Sequence, residues 1–313
     1  MKVSFITASY NYAHYITQTI ESIQSQTIQD WELIVVDDGS KDNSVEVIKS
    51  YCQKDSRIKL FQHEFGINKG LIATIKLGIE KASSDWIAFV ESDDFITPDY
   101  LEKKLIVLNQ NPTVDCIFNE VNFFGEKEVV ETAMQNVFTT YLKTRKKHLP
   151  KKSGFTNFLN IAKTLNPIPT FSCVMIKKSI LKDLDFYSPS LKNLDWFLWS
   201  QVIPKFNIFF LDETLTNWRI HKNSYISAKE ATEKEILFKL NVLRNLNGKK
   251  NVFLKIFNKY PILLKLWRNI KLIQKLLFNV KTSSKRKLFS MTIFGIKIEN
   301  KDTDTPCFLK IRI

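Results

Sequence analysis

Twice in the first hundred residues an unbroken apolar run ends on carboxylates. WELIVV (Trp31 to Val36) stops at Asp37-Asp38, and WIAFV (Trp86 to Val90) stops at Glu91-Ser92-Asp93-Asp94. Short runs rich in Val, Ile and aromatic residues, with no polar alternation, suit strands covered on both faces. Helical spacing separates them. Ile16, Ile20 and Ile23 recur at a helical interval, Asp42-Asn43-Ser44 is a capping signal before Val45 to Tyr51, and Asn68-Lys69-Gly70 precedes a helical pattern from Leu71 to Ala82. With Val3 to Thr7 and Ile58 to Phe61 as further strands, the order predicts an α/β chain, a mainly parallel sheet flanked by helices. Ligands of such sheets bind beyond the C-terminal strand ends. Three polar clusters mark that place: Ala8-Ser9-Tyr10-Asn11, Asp37-Asp38-Gly39-Ser40 and Glu91 to Asp94.

Further along, Val114 to Phe118, Phe171 to Ile176 and Ile208 to Leu211 read as strands and Leu194 to Val202 as a helix, while residues 120–169 are expected to form loops and helices beside an acceptor. There is no internal repeat. With 313 residues, 44% of them hydrophobic, the chain has enough apolar surface for at least one large core. Its four cysteines fall in no metal-ligand or disulfide spacing, which fits a reducing compartment. The N-terminal apolar run is too short for a signal peptide, and no stretch approaches the roughly 20 apolar residues of a spanning helix. A cytoplasmic or peripheral protein is expected.

The net charge of +14 is localised. Residues 1–225 hold equal numbers of basic and acidic side chains, whereas residues 226–313 hold 20 Lys and Arg against 6 Asp and Glu. This divides the chain into a neutral body, 1–225, and a basic helical C-terminal region, 226–313. From Pro261 to Val280, a helical wheel groups Lys265, Arg268, Lys271 and Lys275 opposite Leu263, Leu266, Trp267, Ile270, Ile273 and Leu277. Such a helix either lies on an anionic membrane surface or packs on the body, and the one-sided charge favours the membrane. A nucleic-acid-binding protein would spread its charge over a face with aromatic platforms, and here the charge is confined to the tail. A dinucleotide oxidoreductase would carry a glycine-rich turn after its first strand, and Thr7 to Asn11 contains no glycine.

The ordered set VSFITASYN, QT, WELIVVDDGS with DNS, NKG and DWIAFVESDD closely resembles the bacterial family 2 glycosyltransferases of the GT-A fold. The resemblance covers about the first hundred residues closely and extends to about residue 225. It implies a nucleotide-sugar-binding fold with a mixed, mainly parallel sheet, a UDP-sugar donor and a divalent cation, Mn²⁺ or Mg²⁺, at the diphosphate. It further implies transfer to a hydroxyl of a surface or lipid-linked glycan.

The same resemblance assigns residues. Ser9, Tyr10 and Asp38 hold the base, Asp38 accepting its N–H, and Asp37 either shares that work or orients the strand end. Asp93 contacts ribose and the metal shell, while Asp94 is expected to bind the metal directly. Glu91 stands where relatives often have Asp. Leu194-Asp195-Trp196-Phe197-Leu198-Trp199 matches the segment of the general base, Asp195, with Leu194 in place of the family's Glu. Inversion at the sugar carbon calls for such a base opposite the leaving diphosphate. Trp218-Arg219-Ile220-His221, followed by Ser224 and Ser227, matches the family's Tyr-Arg-x-His ending, so Arg219 and His221 are expected at the diphosphate, with His221 as a further metal ligand. Apart from the resemblance, Lys69 and Gly70 either serve only as a helix entry or place the lysine to approach phosphate.

Overall fold

The computed structural model describes residues 2–187 and 193–222, helical positions 238, 241–243 and 245–246, and strand residues 289–293, 296–300 and 310–312. The chain divides into two compact units, Met1–Lys259 and Tyr260–Ile313.

The first unit opens with the expected alternation: β1 (Val3–Ser9), α1 (Ala13–Gln24), β2 (Trp31–Asp37), α2 (Ser44–Lys54), β3 (Ile58–Gln62), α3 (Leu71–Lys81) and β4 (Trp86–Phe89). A short β5 (Phe95–Ile96) leads to α4 (Tyr100–Gln110) and a long β6 (Cys116–Gly125). Then come α5 (Lys127–Ala133), a π-helical turn over Met134–Phe138, α6 (Thr139–Lys146) and β7 (Gly154–Thr156). β8 (Val174–Lys177), α7 (Lys178–Lys182), α8 (Leu194–Val202) and β9 (Ile208–Ile220) complete it. Among the described residues these strands form one nine-stranded sheet ordered β3-β2-β1-β4-β8-β6-β9-β5, with β7 against β9. The first four strands are parallel, β8 runs antiparallel between β4 and β6, and β6 pairs in parallel with β9.

Every residue of β2 is buried, because both faces of the sheet are covered. Alternate residues serve opposite layers. Ile6, Ile34, Val36, Ile87 and Phe89 pack with Ile75 and Ile79 of α3 and with α8, while Phe5, Leu33, Val35 and Ala88 pack with α1, α2 and α4. Helix α3 lies close on β1, since a Cβ at Gly78 would stand 2.6 Å from Ile6 Cγ2. Asp42 does the capping expected of its segment. Its carboxylate accepts the Ser44 N–H at 3.0 Å and the Ala13 N–H at 3.0 Å, joining the starts of α2 and α1.

Four expectations change. The strand read as beginning at Phe171 begins at Val174, because Phe171–Cys173 is a 3₁₀ turn whose Ser172 N–H is taken by the Thr170 hydroxyl. The strand read as Ile208 to Leu211 continues to Ile220, since its second half pairs with the extended β6 after a register shift near Glu120. The first compact unit also continues beyond residue 225, with Phe238, Val242 and Leu246 buried in its core. The tail expected to be helical contains three strands, β10 (Phe289–Ile293), β11 (Ile296–Asn300) and β12 (Lys310–Arg312), in an antiparallel sheet. Their sequences, FSMTI and IKIEN, alternate apolar and polar residues as a two-faced strand does. The amphipathic segment 261–280 and Ser224 and Ser227 lie outside the described residues. No helix among the described residues is long and apolar enough to cross a membrane.

Candidate active site

The ends of β1, β2 and β4 meet at one cavity of about 700 Å³. Ser9, Tyr10 and Asp38 line it from the first two strands, Glu91 and Asp93 from the segment after β4, and Asn166, Asp195 and Trp218 from later elements. Five of the residues expected at the site, Ser9, Tyr10, Asp38, Asp93 and Asp195, therefore share one space.

The two carboxylates after β2 divide their work. Asp37 is fully buried and accepts the backbone N–H groups of Gly39 and Ser40 at 3.1 and 3.0 Å, so it shapes the turn. Gly39 sits at φ +76, and a Cβ there would meet Gly66 O at 2.7 Å. Only glycine combines that dihedral with so close an approach. Asp38 faces the cavity and is held by the N–H groups of Lys69 at 2.7 Å and Gly70 at 3.0 Å, at the start of α3. His63, bonded to Thr74 Oγ1 at 3.0 Å, lies 3.5 Å from the same carboxylate. Lys69 thus acts on the site through its backbone, and its side chain does not line the cavity.

At the acidic cluster the geometry separates two neighbours. Asp94 is 1% exposed, and both its oxygens take protein donors: Ser172 Oγ at 2.6 Å and the Arg219 N–H at 2.9 Å. It does not line the cavity. Asp93 does, and its Oδ2 lies 3.0 Å from His221 Nε2. Of this pair Asp93 lines the cavity and His221 stands behind it, and Asp94 holds β9 against the cluster. Arg219 is likewise structural in its contacts. Its Nε donates to the Asp93 carbonyl at 2.8 Å, its guanidinium lies 4.5 and 4.3 Å from the ring centres of Tyr15 and Phe124, and it bonds Gln18. Its guanidinium does not line the cavity, and its observed contact there is a clamp on the Asp93 backbone.

Glu91 donates its N–H to Ser172 Oγ at 2.9 Å and accepts the Thr170 hydroxyl. Burial, followed by the Asp93 charge, pushes its carboxyl up to about 8. Burial and the same two neighbouring carboxylates raise Asp94 well above its ordinary range. So many buried acids in one place favour a cation among them. Among the described residues no three His, Cys, Asp or Glu side chains form a metal-holding group. A hard cation that keeps open positions for phosphate oxygens would find one carboxylate oxygen and one imidazole nitrogen in the Asp93–His221 pair.

Asp195 lies in the first turn of α8, where Trp196 anchors the helix by donating Nε1–H to Ala162 O at 2.9 Å. Burial pushes its carboxyl up to about 7, against the opposing pull of the Trp196 N–H and of Asn166, whose Nδ2 donates at 2.6 Å. Leu194, at the position of the family's Glu, lines the cavity with an apolar side chain. Sequence reasoning did not single out Thr170, Ser172 or Asn166. Ser172 sits in what read as a strand, Thr170 falls just before it, and Asn166-Pro167 carries only a turn signal.

The model of glycosyl transferase family 2 matches residues 4–185. The chain belongs to this family. An uncharacterized glycosyltransferase of Haemophilus influenzae is 45% identical over 112 residues, covering 36% of this chain and 44% of that one, so the chain aligns with less than half of that relative. The fold is shared with S. aureus TarS 1-349 in complex with UDP-GlcNAc, at TM-score 0.59 and 21% identity over 79% of this chain and 65% of that one. It is shared also with the mannosyltransferase PcManGT from Pyrobaculum calidifontis in complex with GDP-Man and Mn²⁺, at TM-score 0.53 and 13% identity over 78% and 69%. The chain thus carries the family 2 domain on a GT-A fold.

Proposed function

We propose that the protein transfers a sugar from a UDP-sugar, with inversion, to a hydroxyl of a bacterial surface glycan or lipid-linked glycan. One observation carries this reading: Asp38, Asp93 and Asp195 open into the same cavity, so a nucleotide-holding carboxylate, a metal-side carboxylate and a base face one ligand space. Asp38, fixed by Lys69 and Gly70, accepts the N–H of the base, with Ser9 and Tyr10 beside it. Asp93 and His221 would hold Mn²⁺ or Mg²⁺. When bound, the cation neutralises charge growing on the departing diphosphate. The UDP-GlcNAc and Mn²⁺ found with the two structural neighbours support this arrangement.

Asp195 takes the acceptor hydroxyl's proton as the new C1–O bond forms and the C1–O bond to UDP breaks, the leaving diphosphate keeping the electron pair. A carboxylate at about 7 suits a base working near neutral pH. Trp218, Phe138 and Tyr141 line the same cavity and give an acceptor sugar an aromatic wall. Their seating comes from Phe138, which ends the π turn and packs 5.3 Å from Trp218. The basic tail would hold the enzyme near the inner face of the cytoplasmic membrane.

Thermal unfolding with UDP, GDP, NAD or an oligonucleotide, each with and without Mn²⁺, tests the reading. Stabilisation by UDP that grows with Mn²⁺ is expected. A response to NAD or oligonucleotide alone would overturn it.

A further inference from the structure

The base does not stand alone in the cavity wall. Asn166, on the loop between β7 and β8, donates from Nδ2 to Asp195 Oδ2 at 2.6 Å. The direction of that amide is fixed, because its Oδ1 accepts the Ile168 N–H at 3.2 Å and so turns the NH₂ group toward Asp195. The loop itself is tied down at this residue and at the next. Tyr141 donates its hydroxyl to Asn166 O at 2.9 Å, and Arg145 donates Nε–H to Pro167 O at 2.7 Å. Arg145 is 2% exposed and its Nη1 reaches both Glu120 oxygens at 2.8 Å, so the anchor extends to β6. A loop asparagine merely filling a turn would need neither the bond to Asp195 nor three fixed neighbours.

We propose that Asn166 is the positioning residue of the transfer base: its amide fixes one oxygen of Asp195 and so sets the direction from which that carboxylate meets the acceptor hydroxyl. This rests on Asp195 being the base. The chemistry favours an amide over a cation at this position. Arg or Lys would pull the carboxylate far below neutrality and leave a weak base, whereas a neutral donor orients it and keeps it basic. The other groups acting on Asp195 are consistent with that balance. Burial raises it, the Trp196 N–H lowers it, and the Glu91 carboxylate and the Tyr141 phenol are coupled to its charge. In the step itself, the acceptor O–H proton moves to Asp195 while the sugar carbon exchanges its bond to UDP for one to the acceptor oxygen.

The test uses the full chain with Asn166→Ala and the isosteric Asn166→Asp, each alone and in an Asp195→Asn background. Turnover is read as UDP released from whichever of UDP-glucose, UDP-galactose and UDP-N-acetylglucosamine the wild type uses. The Asp195 titration is read by NMR of ¹³C-labelled aspartate, its signal assigned by its loss in Asp195→Asn. Asn166→Ala is expected to lower kcat about 10- to 100-fold with donor KM within about twofold, and to move the Asp195 titration from near 7 to about 8. Asn166→Asp, which replaces the donor by a like charge, moves it further. In the Asp195→Asn background neither change costs more than about twofold. An unmoved titration, or a kcat loss that persists in full without Asp195, would overturn the proposal; if Asn166→Ala does not fold, Asn166→Asp decides by the same criteria. The two readings fail separately: normal transfer by Asp195→Asn removes the base itself, while a dead Asp195→Asn beside an unaffected Asn166→Ala removes only the positioning role.

Discussion

Replacing Asp195 by Asn should leave only a small residual rate of transfer, keep the nucleotide in place and make the protein more stable at alkaline pH. The carboxyl is held at about 7 by burial. In the wild type, therefore, about a tenth of the molecules carry the working base at pH 6 and about nine-tenths at pH 8, so kcat/KM should rise about tenfold per pH step below 6 and level off above 8. Removing a general base costs about 10²- to 10⁴-fold, roughly 3 to 5 kcal/mol of barrier. The stability effect has the opposite sign. A carboxyl raised from 3.8 to about 7 on folding costs nothing below 3.8, and its penalty grows with pH until it is complete above 7. Asn, unable to ionise, escapes that penalty, which amounts to about 2 to 4 kcal/mol at pH 8. The assays are UDP release across pH 5 to 9 and urea unfolding at pH 4 and pH 8. A variant that keeps its rate, or one that is destabilised at pH 8, would refute the reasoning.

Three further outcomes follow from the same geometry. Asp94→Asn places an amide NH₂ against the Ser172 hydroxyl or the Arg219 N–H, two donors that need an acceptor, so urea unfolding should show about 1 to 3 kcal/mol of lost stability while the Mn²⁺ effect on UDP binding survives. Glu32 is buried, yet bonds from Lys59, Ser4 and Ser83 outweigh the cost of burial and hold it at about 2. Its contribution is present above 4.5 and lost as pH falls through 2, so Glu32→Gln, with solvent screening at the half-exposed Lys59 allowed for, should cost on the order of 1 to 2 kcal/mol at pH 7 and flatten the acid limb of the stability curve. Arg219→Ala, which frees the Asp93 backbone from Tyr15 and Phe124, should weaken Mn²⁺-dependent UDP binding without removing its metal dependence, as read by calorimetry.

The parallel half of the fold was legible because its strands are continuous apolar runs and its helices keep their spacing. The clusters after β1, β2 and β4 followed from the rule for strand ends. What the sequence hid depends on partners distant in the chain. Asp93 and Asp94 are adjacent carboxylates with the same local signal, and they part only because Ser172 and the Arg219 N–H, from β8's approach and β9, converge on one of them. The second half of β9 was invisible because TLTNWRI reads as a polar segment until β6 extends beside it. Asn166 reaches Asp195 across 29 positions through a loop with no periodic pattern.

Calorimetric titration of UDP into the wild type and Asp93→Asn, with Mn²⁺ or with chelator, bears most directly on the cation held by Asp93 and His221. The wild type should bind UDP about 10- to 100-fold more tightly with Mn²⁺, a coupling of roughly 1.4 to 2.7 kcal/mol, and Asp93→Asn should bind it equally with and without the metal. A full Mn²⁺ effect retained by Asp93→Asn, or none in the wild type, would contradict the account.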